Sequence, residues 1–277
     1  MAESVYTTQR PRLCLATSYD ARFVDIGSYC AIGLHLYAAR WKCAVHIDTD
    51  IKLERPPAWH RVHLIPQLFD AGYEYVLWTD ADSLFVRFDV DVLAEIRPDK
   101  DLYIVEHPNP DYPNFKVPNT GVMLVRNSPW SRALFEQIWS MKQYENHPWW
   151  ENAALIDLFG YRNLLGKGAY DPNHELLKKV QFLDQSWNQL SHLSGNGVPV
   201  IRHYAGISNT VRRAEMPKDA AISCRNAFGN RHVESEIDNR SLQAKLAHIE
   251  QSHAAVLKSL SWRVTAPLRL LHRLSKR

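Results

Sequence analysis

Cysteine is scarce: Cys14, Cys30, Cys43 and Cys224 are the four in 277 residues, and no two stand at a metal-ligand spacing. Three of them fall in runs that read as buried strand or helix. Free apolar thiols in a reducing compartment are therefore expected, not a disulfide framework or a zinc site. Also missing is any run of about 18 apolar residues, the length needed to span a bilayer. The first residues, MAESVYTTQRPR, hold no apolar stretch of the kind a secretory leader needs. Internal repeats and low-complexity tracts are absent too. Charge of one sign is lacking: 33 Lys and Arg against 30 Asp and Glu leave +3, too little to argue for a nucleic-acid partner. These absences make a cytoplasmic protein the expectation. With 45% hydrophobic and 23% charged residues the chain is globular rather than disordered, and it is long enough for one α/β domain plus an appendage.

What positive excess exists is local. Lys258, Arg263, Arg269, Arg273, Lys276 and Arg277 occur at the end of the chain with no Asp or Glu among them. Leu268, Leu271 and Leu274 share one helical face there. Two readings stand for residues 258 to 277: a helix lying on an anionic membrane surface, peripheral on its inner face, or leucines packed on the protein with the arginines solvated.

Apolar runs alternate between strand and helix character. LCLAT reads as a first buried strand, and residues 27 to 40 carry apolar positions at helical spacing before a second strand, CAVHI. Residues 57 to 71 are helical in pattern despite Pro66, and YVLW is a strand that runs straight into TDADSLF. Such alternation predicts a mostly parallel sheet covered by helices, with ligands beyond the carboxyl ends of its strands. LYIVE and GVMLV read as further strands, separated by a Pro- and Asn-rich segment expected to be an irregular loop. Ser128 and Pro129 form a helix-start signal for a helix to about Tyr144. A second helix is expected from Trp150 or Glu151 to Gly160, then strands VQFL and VPVIRHY. The α/β body is expected over 10 to 215, a linker over 216 to 236, and a helical, basic amphipathic tail over 237 to 277.

Asp80-Ala81-Asp82 is the feature most suggestive of chemistry. Two carboxylates one residue apart, just beyond an apolar strand, can share Mg²⁺ or Mn²⁺ with phosphate oxygens; the alternative is a turn whose aspartates cap a helix or face water. His203, at the end of a strand-like run, is either structural or a ligand, and an imidazole ligand favours manganese. Asn119, Thr120 and Gly121 could meet sugar hydroxyls, with Gly121 letting a ligand approach the backbone, or form a turn. Glu151-Asn152 open a helix, where a carboxylate is favoured by the dipole whatever its use; sugar binding or acid–base work, with Trp149 and Trp150 as an apolar platform, is the other reading.

Taken in order, LCLATSYD, SYCAIGLHLYAARW, WHRVHLIPQLFDAGYEYVLWTDADSLF, NTGVMLVRNSPWSRALF, WWENAALIDLF, VQFLDQSWNQL and RHYAG resemble a known family. It is the galactosyl-, mannosyl- and xylosyltransferase family that includes fungal Golgi α-mannosyltransferases and plant xyloglucan xylosyltransferases. The likeness spans roughly residues 10 to 210. It implies a GT-A fold, that is, a Rossmann-like, mostly parallel sheet flanked by helices, here with a C-terminal helical extension. It also implies transfer of a hexose or pentose from a nucleotide sugar, with Mn²⁺ (or Mg²⁺) and retention at the anomeric carbon. By position, Asp80, Asp82 and His203 would hold the metal, Thr17, Ser18 and Tyr19 would lie against the base, and Ala81, Asn119, Thr120 and Gly121 would border the donor. Glu151 and Asn152 are the candidate catalytic pair, standing where relatives carry Asp-Gln. Relatives often place a phosphate-reaching lysine after the His-x-x-Gly; Ile207, Ser208 and Asn209 stand there, and Arg212 or Arg213 is the expected substitute. The C-terminal SLSWRVTAPLR resembles tails of bacterial surface-polysaccharide glycosyltransferases, so a glycan or glycolipid acceptor in surface polysaccharide or lipopolysaccharide synthesis is expected. Two alternatives to transfer stand: an aspartate-nucleophile phosphatase, since a strand ending in Asp-x-Asp also introduces that site, and a carbohydrate-binding protein that keeps the fold without turnover.

Overall fold

The computed structural model describes residues 11–109, 112–165, 168–193 and 198–228. Its elements run β1 (Leu13–Ser18), α1 (Val24–Trp41), β2 (Ala44–Asp48), α2 (His60–Asp70), β3 (Tyr75–Thr79), β4 (Ser83–Phe85), β5 (Leu102–Asn109) and β6 (Tyr112–Arg126). Then follow α3 (Pro129–Ser140), α4 (Trp150–Leu158), β7 (Tyr161–Arg162), β8 (Ala169–Tyr170), α5 (His174–Leu177), β9 (Val180–Phe182), β10 (Gln189–Leu190), β11 (Ile201–His203) and α6 (Asn209–Phe228).

The main sheet has the order β2-β1-β3-β6-β5-β9. Pairs β1–β2, β1–β3 and β5–β9 are parallel, and β6 alone runs against its two neighbours. Apolar runs such as YVLWT, buried at every position, are what a parallel strand covered on both faces requires. The pleat divides their side chains between two cores. Cys14, Ala16, Val76, Trp78, Met123 and Val125 pack with α2, α3 and α4 on one face. Leu13, Leu15, Tyr75, Leu77, Val122 and Leu124 pack with α1 on the other. Helix boundaries follow local chemistry: Ser128 and Ser131 form a reciprocal capping box with Pro129 inside the first turn, and α1 ends at Lys42 in the left-handed region (φ 55°).

Two expectations need correction. Where it is described, the Pro- and Asn-rich segment is strand rather than irregular loop: β5 reaches Asn109 and β6 starts at Tyr112, pairing Glu106 with Pro118 and Pro108 with Lys116, with a register shift on either side. A proline costs a strand one donor, and bulges and sheet extremities absorb that loss. The body also does not stop at 215. Residues 216–228 of the expected linker belong to α6, anchored by buried Met216, Ala220 and Ser223, with Ser223 Oγ donating to Phe85 O at 2.5 Å and Asn226 Nδ2 to Val86 O at 3.1 Å. The rest of that linker, the 237 to 260 helix and the basic segment 258 to 277 lie outside the described residues. Among the described residues, no helix is long and apolar enough to cross a membrane.

A second, three-stranded sheet, β10-β11-β4, positions the chemistry. The chain leaves β3 at Thr79, turns through Asp80 to Asp82, and enters β4. Antiparallel β11 sets His203 directly opposite Ser83, and Tyr204 N donates to Asp82 O at 2.9 Å. This register brings the histidine to the aspartates.

Candidate active site

Asp80 follows the carboxyl end of β3, its N–H donating to Gly121 O at 2.7 Å and its C=O accepting from Ser83 N at 2.8 Å. The turn this makes fixes both aspartates. One oxygen of Asp80, Oδ1, accepts from Trp78 Nε1 at 2.9 Å and faces Arg61 Nη2 at 2.6 Å. Its other oxygen, Oδ2, lies 3.7 Å from His203 Nε2. Asp82 is divided likewise: Oδ2 accepts from Arg212 Nε at 2.9 Å and faces Nη2 at 2.8 Å, while Oδ1 lies 3.3 Å from His203 Nε2. One ligand atom from each of Asp80, Asp82 and His203 can thus be chosen so that all lie within 4.8 Å of one another. Two carboxylate oxygens and an imidazole nitrogen at this spacing are a chemically fitting donor set for Mn²⁺ or Mg²⁺.

The imidazole is oriented from behind. His203 Nδ1 lies 2.9 Å from Asn188 Oδ1. Asn188 spends its Nδ2 on Asn119, at 3.1 Å to Oδ1 and 3.3 Å to O, so its carbonyl oxygen must face the histidine. Nδ1 therefore carries the proton and donates, and the Nε2 lone pair points at the acids. Gly121 completes this support in an unexpected way. Its missing side chain was expected to admit a ligand, but a Cβ there would sit 2.0 Å from His203 Cε1. The imidazole itself fills the space.

Arg61 links the acidic pair to α4. It is 5% exposed, with Nη1 donating to Thr120 O at 2.6 Å and Nε 3.1 Å from Glu151 Oε1. Burial opposes its charge, and Asp80 and Glu151 more than restore it. Glu151 Oε1 also accepts from Thr120 Oγ1 at 3.0 Å, whereas Oε2 is buried without a hydrogen-bond partner. Burial pushes this carboxyl up to about 7, with Arg61 pulling down and Asp80 pushing further up. Asp82 moves the other way: burial opposes its ionisation, but His203, whenever its imidazole is protonated, and the Arg212 guanidinium hold it below the usual carboxylate range.

These groups line one cleft of about 1000 Å³, at the large end of the roughly 300–1,000 Å³ usual for ligand sites. Ser18, Tyr19, Asp80, Ala81, Asp82, Asn119, Thr120, Gly121, Glu151, Asn152, His203 and Arg212 all border it. Thr17 does not: it is fully buried beneath. Thr120 is wholly committed to the protein, its N–H donating to Asn152 Oδ1 at 2.8 Å. Trp150, on the same cleft, is 42% exposed and holds φ at 44°, a strained value for a bulky side chain. Arg213 instead pairs with Asp25 at 2.5 Å.

Sequence reading missed Arg61 and Asn188. Arg61 had a usable signal, since with Leu64, Ile65 and Leu68 it occupies a single buried helical face where a lone cation is out of place. Asn188 had none, because a short 3₁₀ turn, Gln185–Asn188, carries no periodicity.

Residues 57–213, more than half of the chain, match the family model described as nucleotide-diphospho-sugar transferase. No curated protein sequence matches. Among solved structures, a glycosyltransferase involved in glycosylation of the major capsid of PBCV-1 is similar at TM-score 0.53 and 16% identity, covering 74% of this chain and 98% of that one. The galactosyltransferase LgtC, in complex with donor and acceptor sugar analogs, is similar at TM-score 0.51 and 13% identity, covering 83% of this chain and 99% of that one. GlyE of Streptococcus pneumoniae TIGR4 is similar at TM-score 0.51 and 13% identity, covering 86% and 64%. At these identities the likeness establishes the shared GT-A fold.

Proposed function

The chain belongs to the nucleotide-diphospho-sugar transferase family, and from that premise we propose that it moves a hexose or pentose from a nucleoside-diphosphate sugar to a glycan or glycolipid hydroxyl, with retention at the anomeric carbon. That it is a glycosyltransferase follows from the family; sugar, acceptor, stereochemistry and metal are the proposal. The observation that carries it is the convergence of Asp80 Oδ2, Asp82 Oδ1 and His203 Nε2 at the carboxyl end of β3.

Those three atoms would hold the cation, and the imidazole favours Mn²⁺ over Mg²⁺. When bound, a divalent ion neutralises charge developing on a departing diphosphate. Ser18, the last residue of β1, and Tyr19 just after it flank the base, with Thr17 supporting them from below. Asn119 and Gly121 border the sugar, and Arg212 adds positive charge on the diphosphate side. The bond from the anomeric carbon to the phosphate oxygen breaks, a new one forms to the acceptor oxygen on the same face, and the acceptor's proton passes to the departing phosphate oxygen. No separate base is needed. Glu151, ionised in part near neutral pH, stabilises positive charge at the anomeric carbon, while Asn152 holds the strand that borders the sugar. Trp149 and Trp150 offer an apolar platform for the acceptor ring. A role in surface polysaccharide or lipopolysaccharide synthesis, with attachment to the inner face of an anionic membrane through residues 258 to 277, completes the reading.

A thermal-shift screen of nucleotide sugars with Mn²⁺ tests it, because a ligand bound by the folded state raises the melting point. The preferred donor should stand out. If no nucleoside diphosphate or its sugar shifts melting, the donor assignment fails; donor hydrolysis lost in Asp82→Ala separates turnover from mere carbohydrate binding.

A further inference from the structure

Each aspartate of the cluster surrenders its outer oxygen to a guanidinium. Arg61 lies 2.6 Å from Asp80 Oδ1, and Arg212 lies 2.8 Å from Asp82 Oδ2. The inner oxygens alone face His203. Neither carboxylate can chelate a cation with both oxygens while these pairs persist, and each negative charge already faces a positive one, that of Arg61 being shared with Glu151 and that of Arg212 serving Asp82. Arg212 is held firmly in place, its Nε also donating to Tyr204 O at 3.1 Å and its Nη1 to Asn209 Oδ1 at 2.8 Å. A dication entering here meets a neutralised acidic pair and two nearby cations.

We infer that Arg212 is a positioning residue that serves as the built-in counter-cation of Asp82, keeping the acidic pair a weak metal site until a diphosphate brings the missing negative charge. This deepens the proposed function and rests on its assignment of the metal ligands. Arg212 fixes Asp82 as a one-oxygen ligand, and its charge repels the incoming dication across that carboxylate. A diphosphate reverses the balance by attracting both cations. Metal and diphosphate then strengthen each other's binding by the same factor, as linkage demands. The arrangement also disfavours Ca²⁺, which fills a shell of about 6–8 oxygens and often takes carboxylates in bidentate fashion.

The test is equilibrium dialysis of the full chain against buffered free Mn²⁺, alone and with uridine, inorganic pyrophosphate, UDP or GDP, for the wild type, Arg212→Gln and Arg212→Lys. In the wild type, pyrophosphate and one nucleoside diphosphate should tighten Mn²⁺ about tenfold or more, within the usual range of coupling, and uridine should not. Arg212→Gln keeps an amide for Asp82 but removes the charge. It should bind Mn²⁺ alone about tenfold more tightly, the order of a screened repulsion between a dication and a monocation, and lose most of the coupling. Arg212→Lys should stay close to wild type. Weaker or unchanged Mn²⁺ binding by Arg212→Gln overturns the inference, as does equal coupling in all three proteins. If Arg212→Gln does not fold, the unmodified chain still decides: tight Mn²⁺ binding without any diphosphate, or tightening by uridine alone, overturns the idea. Coupling to pyrophosphate but to no nucleoside diphosphate supports Arg212's role and refutes the nucleotide reading.

Discussion

Gly121→Ala concentrates the consequences of the site's packing in one methyl group. Its Cβ would sit 2.0 Å from His203 Cε1, 2.6 Å from Nδ1 and 2.8 Å from Asn119 Oδ1, where ordinary contact begins at 3.4 Å. The ring must therefore retreat by about 1.4 Å, the difference between 3.4 and 2.0 Å. It has little room: Asp82 Oδ1 is 3.3 Å ahead of Nε2, and Nδ1 is tied to Asn188. Overpacking of this kind costs about 1–3 kcal/mol, and for a chain of this size each kcal/mol lowers the melting temperature by about 2–4 °C. The functional loss should be larger than that. Mis-set support around a ligating histidine typically costs about 10–100-fold in metal affinity, so Mn²⁺ binding by dialysis should fall by that factor while a folded protein remains. Wild-type Mn²⁺ affinity and wild-type melting in Gly121→Ala would refute the claim that this glycine exists to seat the imidazole.

Three further predictions follow from neighbouring contacts. Asn188→Ala removes the acceptor for His203 Nδ1, so metal affinity should drop about 10–100-fold, measured by the same dialysis; an unchanged affinity would mean that the tautomer is set elsewhere. Glu151 has a folded-state pKa of about 7 against 4.5 as a free side chain, so the native state binds more protons between those values and stability should fall as pH rises through the interval. Replacement by Gln should abolish that fall, whose upper bound is about 3 kcal/mol at about 1.4 kcal/mol per pKa unit; parallel denaturation curves of both proteins from pH 4.5 to 7.5 would contradict it. Trp150→Asn places a residue tolerant of the left-handed region at φ 44°. It should raise stability by about 1 kcal/mol while slowing transfer to glycan and sparing donor hydrolysis; equal loss of both activities would place Trp150 outside acceptor binding.

Where sequence was informative, local physics decided the outcome. LCLA and YVLW are apolar at every position and too short for a helix, as strands buried on both faces are, so β1 and β3 were readable, as was the acidic pair beyond β3. Ser128 and Pro129 announced α3 because capping is a local affair. The failures share a cause in tertiary pairing. Pro108 and Pro118 read as loop residues, but pairing between β5 and β6 carries both into strand. α6 looks like a linker because Met216, Ala220 and Ser223 are its few buried residues and Pro217 interrupts its pattern. Its place is fixed instead by contacts such as Tyr204 OH with Asp219 and Arg202 Nη1 with Asp219 at 2.7 Å. The approach of His203 to Asp82 depends on the β4–β11 register, which no spacing encodes. Family resemblance supplied that pairing, while Arg61, Asn188 and the two guanidinium clamps came only from coordinates.

The decisive measurement is anomalous diffraction at the manganese edge from crystals grown with Mn²⁺ and a nucleoside diphosphate. The account predicts a single strong peak between Asp80 Oδ2, Asp82 Oδ1 and His203 Nε2, with diphosphate oxygens completing the shell. A peak elsewhere, or none at these three atoms with nucleotide bound in the cleft, would contradict it.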